Sequence, residues 1–443
     1  MRVVRNNSTP YPLLSSLHGA VSGSETVLID VVHIAGNLQF LTRTMAKTAS
    51  AHLDTLLQHT GVAEFDSARG SAPVALPSMR TSTVRFQNLD ALERAQASKA
   101  QGDRSVTYGR AGMDTHAALE EVFCELEAAE RAFLAPSGLS AITLAFFSVL
   151  STQDHVLVAD CAYGPVRYLD KIVLGRMGVQ VSYSRATPAA LESQLRPNTK
   201  MLYVESPGSL LFEMLDIPAL AEFAKKHDLI LAVDNTWGSG YIYRPLELGA
   251  DISVVAGTKY VAGHSDLMLG AVMAKDPALI QRINETHYAM GYSISADDAW
   301  LAIRGARTLP IRMRQSAQNA LEICEFLSSC PDVARIYHPA WPADSGHALW
   351  RRDCTGSNGM LSVELKFTHA AARRFVDALT LFGIGFSWGG FESLVQLVDH
   401  GSLKLHGYWT PNAHAVVRLH IGLESPQDLI ADISQALDQA AAI

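Results

Sequence analysis

The chain has 443 residues, of which 48% are hydrophobic and 18% charged, and its net charge is −8. That length favours more than one domain around a large core, and the composition excludes the disordered and fibrous classes. Lysines and arginines are interspersed among acids without forming a basic face, so nucleic acid is not an expected partner.

In chain order, the first 24 residues carry Arg2 and Arg5 and no acid, but lack an apolar core followed by a small-residue cleavage site. Residues 1–50 therefore read as a poorly ordered extension, or in part as sequence upstream of a natural start near Met45, in preference to an export signal. The apolar stretch "VLIDVVHIAGNLQFL" is interrupted by Asp30, His33 and Asn37. It falls short of the roughly 18 apolar residues that a membrane span needs, so no membrane association is expected. Cys124, Cys161, Cys324, Cys330 and Cys354 are odd in number, far apart and without a Cys-x-x-Cys pair. They fit reduced thiols of a cytoplasmic protein rather than a disulfide framework or a metal site.

From about Thr107 the chain becomes rhythmic. "HVLVAD" (155–160), "VQVSYS" (179–184), "MLYVES" (201–206), "LILAVDN" (229–235) and "ISVVAG" (252–257) are short apolar runs, separated mostly by helix-like segments such as "IPALAEFAKKHD". The alternation predicts an α/β fold with a mainly parallel sheet covered on both faces. A long helical stretch from Ala296 to Cys330, with Arg304, Arg307, Arg312 and Arg314 along it, leads to a second part. There "GMLSVELKF", "SLVQLV", "AVVRLHIGLE" and the amphipathic "SPQDLIADISQALDQAAA" predict a smaller α+β domain. The expected division is 1–50, 51–110, 111–310 and 311–443.

Ligands of such sheets bind at the carboxyl ends of the strands. That rule selects Tyr163, Glu205 to Ser209, Asp234, Asn235, Thr258 and Lys259. A lysine near apolar surroundings and other cations has a lowered pKa, and its neutral amine forms a Schiff base with an aldehyde cofactor or a carbonyl substrate. Pyridoxal phosphate would further require a carboxylate for the ring nitrogen, an anion site and a stacking ring. Asp234 suits the first task; its alternative is a cap of the next turn. Ser137, Gly138 and Leu139 at a helix start suit the second, with a plain N-cap as the alternative. Tyr163 suits the third, with simple packing as its alternative, and Thr258 could add a hydroxyl to the phosphate. "HSD" at His264 to Asp266 has a hydrolase look, but adjacent residues cannot adopt nucleophile–base–orienter geometry, so it reads as a turn.

"TKYVAGHSDLMLG", "YGRAGMDTHAALE", "SGLSA", "ESPGSLLFEMLDIP", "VDNTW", "SWGGFESLV" and "VRLHIGLE" together resemble the pyridoxal-phosphate enzymes of transsulfuration, the cystathionine synthase and lyase family of fold type I. The resemblance runs from about Leu53 to Leu437. It implies a fold type I large domain with a smaller C-terminal α+β domain, Lys259 as the Schiff-base lysine, Asp234 as the ring-nitrogen partner and Tyr163 as the stacking ring. It implies further that Gly138, Leu139 and Thr258 hold the phosphate, with Tyr108 and Arg110 reaching in from a neighbouring subunit of a homotetramer. Arg418 would clamp the substrate carboxylate, helped by Ser387 and Trp388.

"SWGG" and "SPGS", with "GHALWRRDCTGSNGML", are similar to the bacterial β-eliminating branch of that family. The implied reaction is αβ-elimination from L-cystathionine to homocysteine, pyruvate and ammonia, with Lys259 or Tyr163 protonating sulfur. Thr107, Ala256, Met113-Asp114 and Phe386 depart from the branch's usual residues and bear on substrate identity. Other readings are elimination from other cysteine S-conjugates or cysteine, γ-elimination or γ-synthesis, and a non-catalytic cofactor-binding regulator.

Overall fold

Seven strands build the first sheet: β1 (Arg131–Ala135), β2 (His155–Ala159), β3 (Gln180–Ser184), β4 (Thr199–Glu205), β5 (Ile230–Asp234), β6 (Ile252–Val255) and β7 (Gly270–Ala274). A computed structural model of the chain describes residues 51–63, 65–100 and 104–442. The expectation for residues 1–50 lies outside the described residues. The strand order is β1-β7-β6-β5-β4-β2-β3. All neighbours from β6 to β3 run parallel, while β7 is antiparallel to both β1 and β6.

The runs predicted as strands are strands, and burial on both faces explains the largely apolar makeup of the interior ones, while the edge strand β3 is more polar and less buried. In β2, Val156 and Val158 enter one hydrophobic cluster while Leu157 and Ala159 enter another on the opposite face. The helix α1 (Asp114–Glu127) precedes these strands in sequence, α2 (Gly138–Val149), α3 (Gly164–Leu169) and α4 (Ile217–Lys226) lie between them, and α5 (Pro277–Met290) follows them. The same alternation sets direction at strand ends. Tyr203 and Ala232 belong to the cluster that α2 packs into, so Glu205 and Asp234, two residues further along β4 and β5, share that face.

The predicted helical stretch from Ala296 to Cys330 is broken in two, into α6 (Ala296–Ala306) and α7 (Leu309–Ser328). Pro310 explains the break: it has no N–H to give and disfavours helical backbone before it, so it sits in the first turn of a new helix. Beyond α7 a second sheet has the order β10-β11-β12-β9-β8, made of β8 (Val333–Tyr337), β9 (Met360–Leu365), β10 (Gly383–Ile384), β11 (Leu394–Leu397) and β12 (Ala415–His420). Its β9, β11 and β12 are the predicted runs. The far face is covered by α7, α8 (His369–Ala378) and α9 (Pro426–Ala441) in a separate cluster with Phe375, Leu419 and Ile433. The near face, carrying Met360, Tyr337 and Val416, packs into the same cluster as the first sheet. Arg418 and His420 follow Val416 by two and four residues, and alternation points both toward the carboxyl edge of the first sheet.

Candidate active site

Lys259 lies four residues past the end of β6, in a tight turn. Its N–H donates to the Ala256 carbonyl and its own carbonyl accepts from Gly263 N–H. Arg312, buried on α7, fastens the turn from behind by donating to the carbonyls of Tyr260 and Gly305, both at 2.8 Å. The "GHSD" that follows is indeed a turn: His264 Nδ1 contacts the Ala262 carbonyl, and Ser265 has left-handed backbone, φ 58°.

The Lys259 amine reaches toward the second sheet. Its Nζ donates to Ser387 Oγ at 2.6 Å and stands 5.3 Å from the centre of the Trp388 ring. Among the described residues it has no ion-pair partner. Burial, and secondarily Arg418, lower its pKa to about 8, with Asp234 opposing. Arg418 donates to the Ser387 carbonyl at 3.2 Å and likewise lacks a carboxylate partner among the described residues. Burial lowers its pKa to about 10, and it remains a cation.

Asp234 is buried at the end of β5. One carboxylate oxygen accepts from Thr236 N–H (3.0 Å) and Thr236 Oγ1 (2.6 Å), while the other takes only a long bond from Tyr203 Oη, 3.2 Å. Burial pushes the carboxyl above its ordinary range, against the pull of Thr236, Tyr203 and Lys259. Tyr163 caps α3 beside it, and its N–H donates to Glu205 Oε2 at 2.6 Å. Tyr163 as a whole residue is 44% exposed. Burial, then Glu205 and Asp234, raise its phenol pKa, with Arg418 opposing.

At the start of α2, Ser137 Oγ accepts from Ser140 N–H at 3.1 Å. The Ser137 carbonyl accepts from Ala141 N–H. The N–H groups of Gly138 and Leu139 are the helix's orphan donors. Gly138 is there for space, since a Cβ on it would lie 2.6 Å from Ala256 Cβ.

Some sequence-selected residues serve other ends. The Thr258 hydroxyl donates to the Leu269 carbonyl (3.0 Å) and accepts from Leu269 N–H (2.8 Å), closing the turn onto the start of β7. It would have to release Leu269 to donate to a phosphate. Asn235 gives its amide to Glu127 and to the Tyr243 carbonyl and braces α1. Within the chain Tyr108 and Arg110 make contacts away from Lys259. Tyr108 bridges Thr83, and Arg110 donates to the Tyr288 carbonyl at 2.9 Å and lies 4.4 Å from the centre of its ring. Sequence reasoning missed Tyr203, Thr236 and His420 and the bracing role of Arg312; only Thr236, two residues beyond Asp234, had a local signal, as an Asx-turn partner.

Pyridoxal phosphate fits this set of groups. A ring N–H⁺ would supply what the poorly satisfied, buried Asp234 oxygen lacks, orphan N–H groups at α2 suit a phosphate, and an amine of lowered pKa, bonded to Ser387 and without a carboxylate partner, suits an aldehyde. The fold and these groups together define a pyridoxal-phosphate-dependent enzyme of fold type I.

The chain belongs to the family described as Cys/Met metabolism PLP-dependent enzyme, whose model matches residues 54–438. It is 65% identical over 397 residues to the cystathionine beta-lyase of Bordetella avium, covering 90% of this chain and all of that one. To cystathionine beta-lyase MetC of Escherichia coli K12 it is 36% identical over 368 residues, 80% of this chain and 91% of that one. The crystal structure of cystathionine gamma-lyase from Lactobacillus plantarum, complexed with L-serine, matches with a TM-score of 0.78 at 30% identity, covering 88% of this chain and 99% of that one.

Proposed function

We propose that this chain is a carbon–sulfur lyase that carries out αβ-elimination on L-cystathionine, consuming water and giving homocysteine, pyruvate and ammonia. The observation that carries the reading is the Lys259–Ser387–Arg418 chain: a lysine amine of lowered pKa bonded to a serine whose carbonyl receives a half-buried guanidinium without a carboxylate. The 65% identity to a beta-lyase, over the whole of that relative, supports the β-specific form.

Lys259 would hold the cofactor's aldehyde end, Asp234 its ring nitrogen, and the N–H groups of Gly138 and Leu139 its phosphate, with Tyr163 across the ring. Bound pyridoxal phosphate supplies an electron sink for the pair left when the substrate Cα loses its proton. Arg418 would take the substrate α-carboxylate in a fork-like pairing, with Ser387 and Trp388 beside it, and this fixes the Cα–H direction. The Lys259 amine, neutral for a useful fraction of the time near pH 8, is placed to carry that proton. The thiolate on Cβ then leaves. Lys259 would pass the Cα proton to sulfur, or Tyr163, whose raised pKa keeps its phenol protonated, would donate its own and be reprotonated by Lys259.

We infer also that the chain self-associates into a homotetramer in which Tyr108 and Arg110 complete a neighbour's phosphate site. Tyr108 is half exposed and free to do so. Five free thiols suit a reducing, cytosolic location, which cell fractionation checks. Among the described residues no helix is long and apolar enough to cross a membrane.

Incubating the cofactor-loaded protein with L-cystathionine and identifying the keto acid tests the reaction. Pyruvate with stoichiometric homocysteine is expected; 2-oxobutyrate would assign γ-elimination instead, and no keto acid would leave an obligate synthase or a binding protein.

A further inference from the structure

Lys259, the Ser387-Trp388 pair and Arg418 come from three different parts of the chain, and Ser387 is held in an uncommon conformation. Its φ is +82°, in the left-handed region that costs a residue with a side chain. Gly389, φ +87°, passes so near the Lys259 turn that a Cβ on it would lie 2.9 Å from Tyr260 N and 3.0 Å from Lys259 C. Something must press this loop against the lysine.

His420 occupies that place. It follows Arg418 by two residues on β12 and faces the same way, and it is 1% exposed. Gly389 N–H donates to its Nε2 at 3.0 Å, so that nitrogen carries no proton. The proton of the neutral ring sits on Nδ1 and is donated to the Glu392 carbonyl at 2.9 Å. One imidazole thus joins both ends of the Gly389-Gly390-Phe391-Glu392 bend. It also packs on Tyr260, the residue after the lysine, with ring centres 5.9 Å apart. At the far end of the bend the Glu392 side chain accepts from Ser265 Oγ, tying the loop to the "GHSD" turn. Burial, with a smaller push from Arg418 and Lys259, lowers the His420 pKa to about 4, so the ring stays neutral and keeps both bonds near neutral pH.

We propose that His420 is a positioning residue for the reaction: by stapling Gly389 to Glu392 it holds Ser387 against Lys259 and sets the carboxylate-binding end formed with Arg418. The inference rests on the reading of Ser387 and Arg418 given above. It explains why a buried histidine stands on a strand face beside a catalytic lysine without touching the lysine itself.

The test uses full-length, cofactor-loaded His420→Phe, His420→Asn and Arg418→Met proteins. Phe keeps a ring against Tyr260 but has no nitrogen; Asn can still donate to Glu392 and does not reach Gly389. L-Alanine, which carries the α-carboxylate and no leaving group, is titrated by its effect on the visible absorbance. The pH midpoint of that absorbance without ligand is measured alongside, and melting temperature is followed for all.

Arg418→Met weakens L-alanine binding tenfold or more. His420→Phe weakens it fivefold or more and moves the absorbance midpoint, and His420→Asn falls between Phe and the parent, irrespective of the order of their melting temperatures. The proposal is overturned if the Phe variant binds L-alanine with parental affinity and midpoint while Arg418→Met is impaired. If the Phe variant does not fold, parental behaviour of the Asn variant overturns it equally. Parental binding by Arg418→Met removes the underlying reading of the carboxylate end, and the proposal with it.

Discussion

Gly138→Ala isolates the phosphate cradle from the rest of the site. The added Cβ would stand 2.6 Å from Ala256 Cβ, and the next atom, Ala256 Cα, would be 3.4 Å away. Unstrained carbon contacts lie at about 3.5–4.0 Å, so the start of α2 and the end of β6 must part by roughly 1 Å. Overpacking of that kind costs about 1–3 kcal/mol. The free protein can relax by opening the cradle, whereas the bound state needs it closed, so the cost falls on cofactor binding. An affinity loss of roughly 5- to 150-fold is expected. Titrating the apoprotein with pyridoxal phosphate and following its visible absorbance measures it. Because the clash is with a single methyl group, adding Ala256→Gly to Gly138→Ala restores most of the affinity. Unchanged affinity in Gly138→Ala, or no recovery in the double variant, would refute the placement of the phosphate at this helix start.

Two further outcomes follow from Lys259 and Arg110. The rate at which apoprotein captures pyridoxal phosphate rises with pH and levels off beyond a midpoint near 8, not near the 10.5 of an ordinary lysine, since only the neutral amine attacks an aldehyde. Stability of the apoprotein moves with it: the folded pKa is below the unfolded one, so the burial cost is full below about 8 and is relieved as pH rises toward 10.5. A Lys259→Met protein lacks that rise. For the shared site, mixing inactive Lys259→Ala and Arg110→Ala subunits after dissociation restores activity, because one site of each hybrid has both residues; activity that stays absent would place Arg110 outside the neighbour's site.

Much of this arrangement was readable from the chain, for physical reasons that differ by element. Strands β2, β4, β5 and β6 announce themselves because burial on both faces leaves them largely apolar, whereas β3 at the sheet edge is exposed in part and mixes Gln and Ser with its apolar residues; the carboxyl-edge rule then finds Lys259, Asp234 and Tyr163. Strand β7, "GAVMA", is dominated by small residues, and β1, "RAFLA", has a single bulky pair, Phe133-Leu134, flanked by alanines, so neither carries a comparable β-branched signal. The break before α7 was written in Pro310 but is masked by strong helical periodicity on both sides. Thr258 has the right chemistry for a phosphate, and only the fold reveals that its hydroxyl is already committed to Leu269. His420 is the least legible of all. In sequence it is, with Arg418, one of two polar residues in an otherwise apolar strand, and its partners Gly389 and Glu392 lie about thirty residues away, joined to it only by the pairing of β12 with β11.

The covalent role of Lys259 is the claim on which the rest depends. Reducing the cofactor-loaded protein with borohydride, digesting it and locating the cofactor by peptide mass spectrometry tests it most directly. The cofactor is expected on the peptide that contains Lys259, and absent from a Lys259→Ala protein treated in the same way. Attachment to any other lysine, or equal trapping by the Lys259→Ala protein, would contradict it.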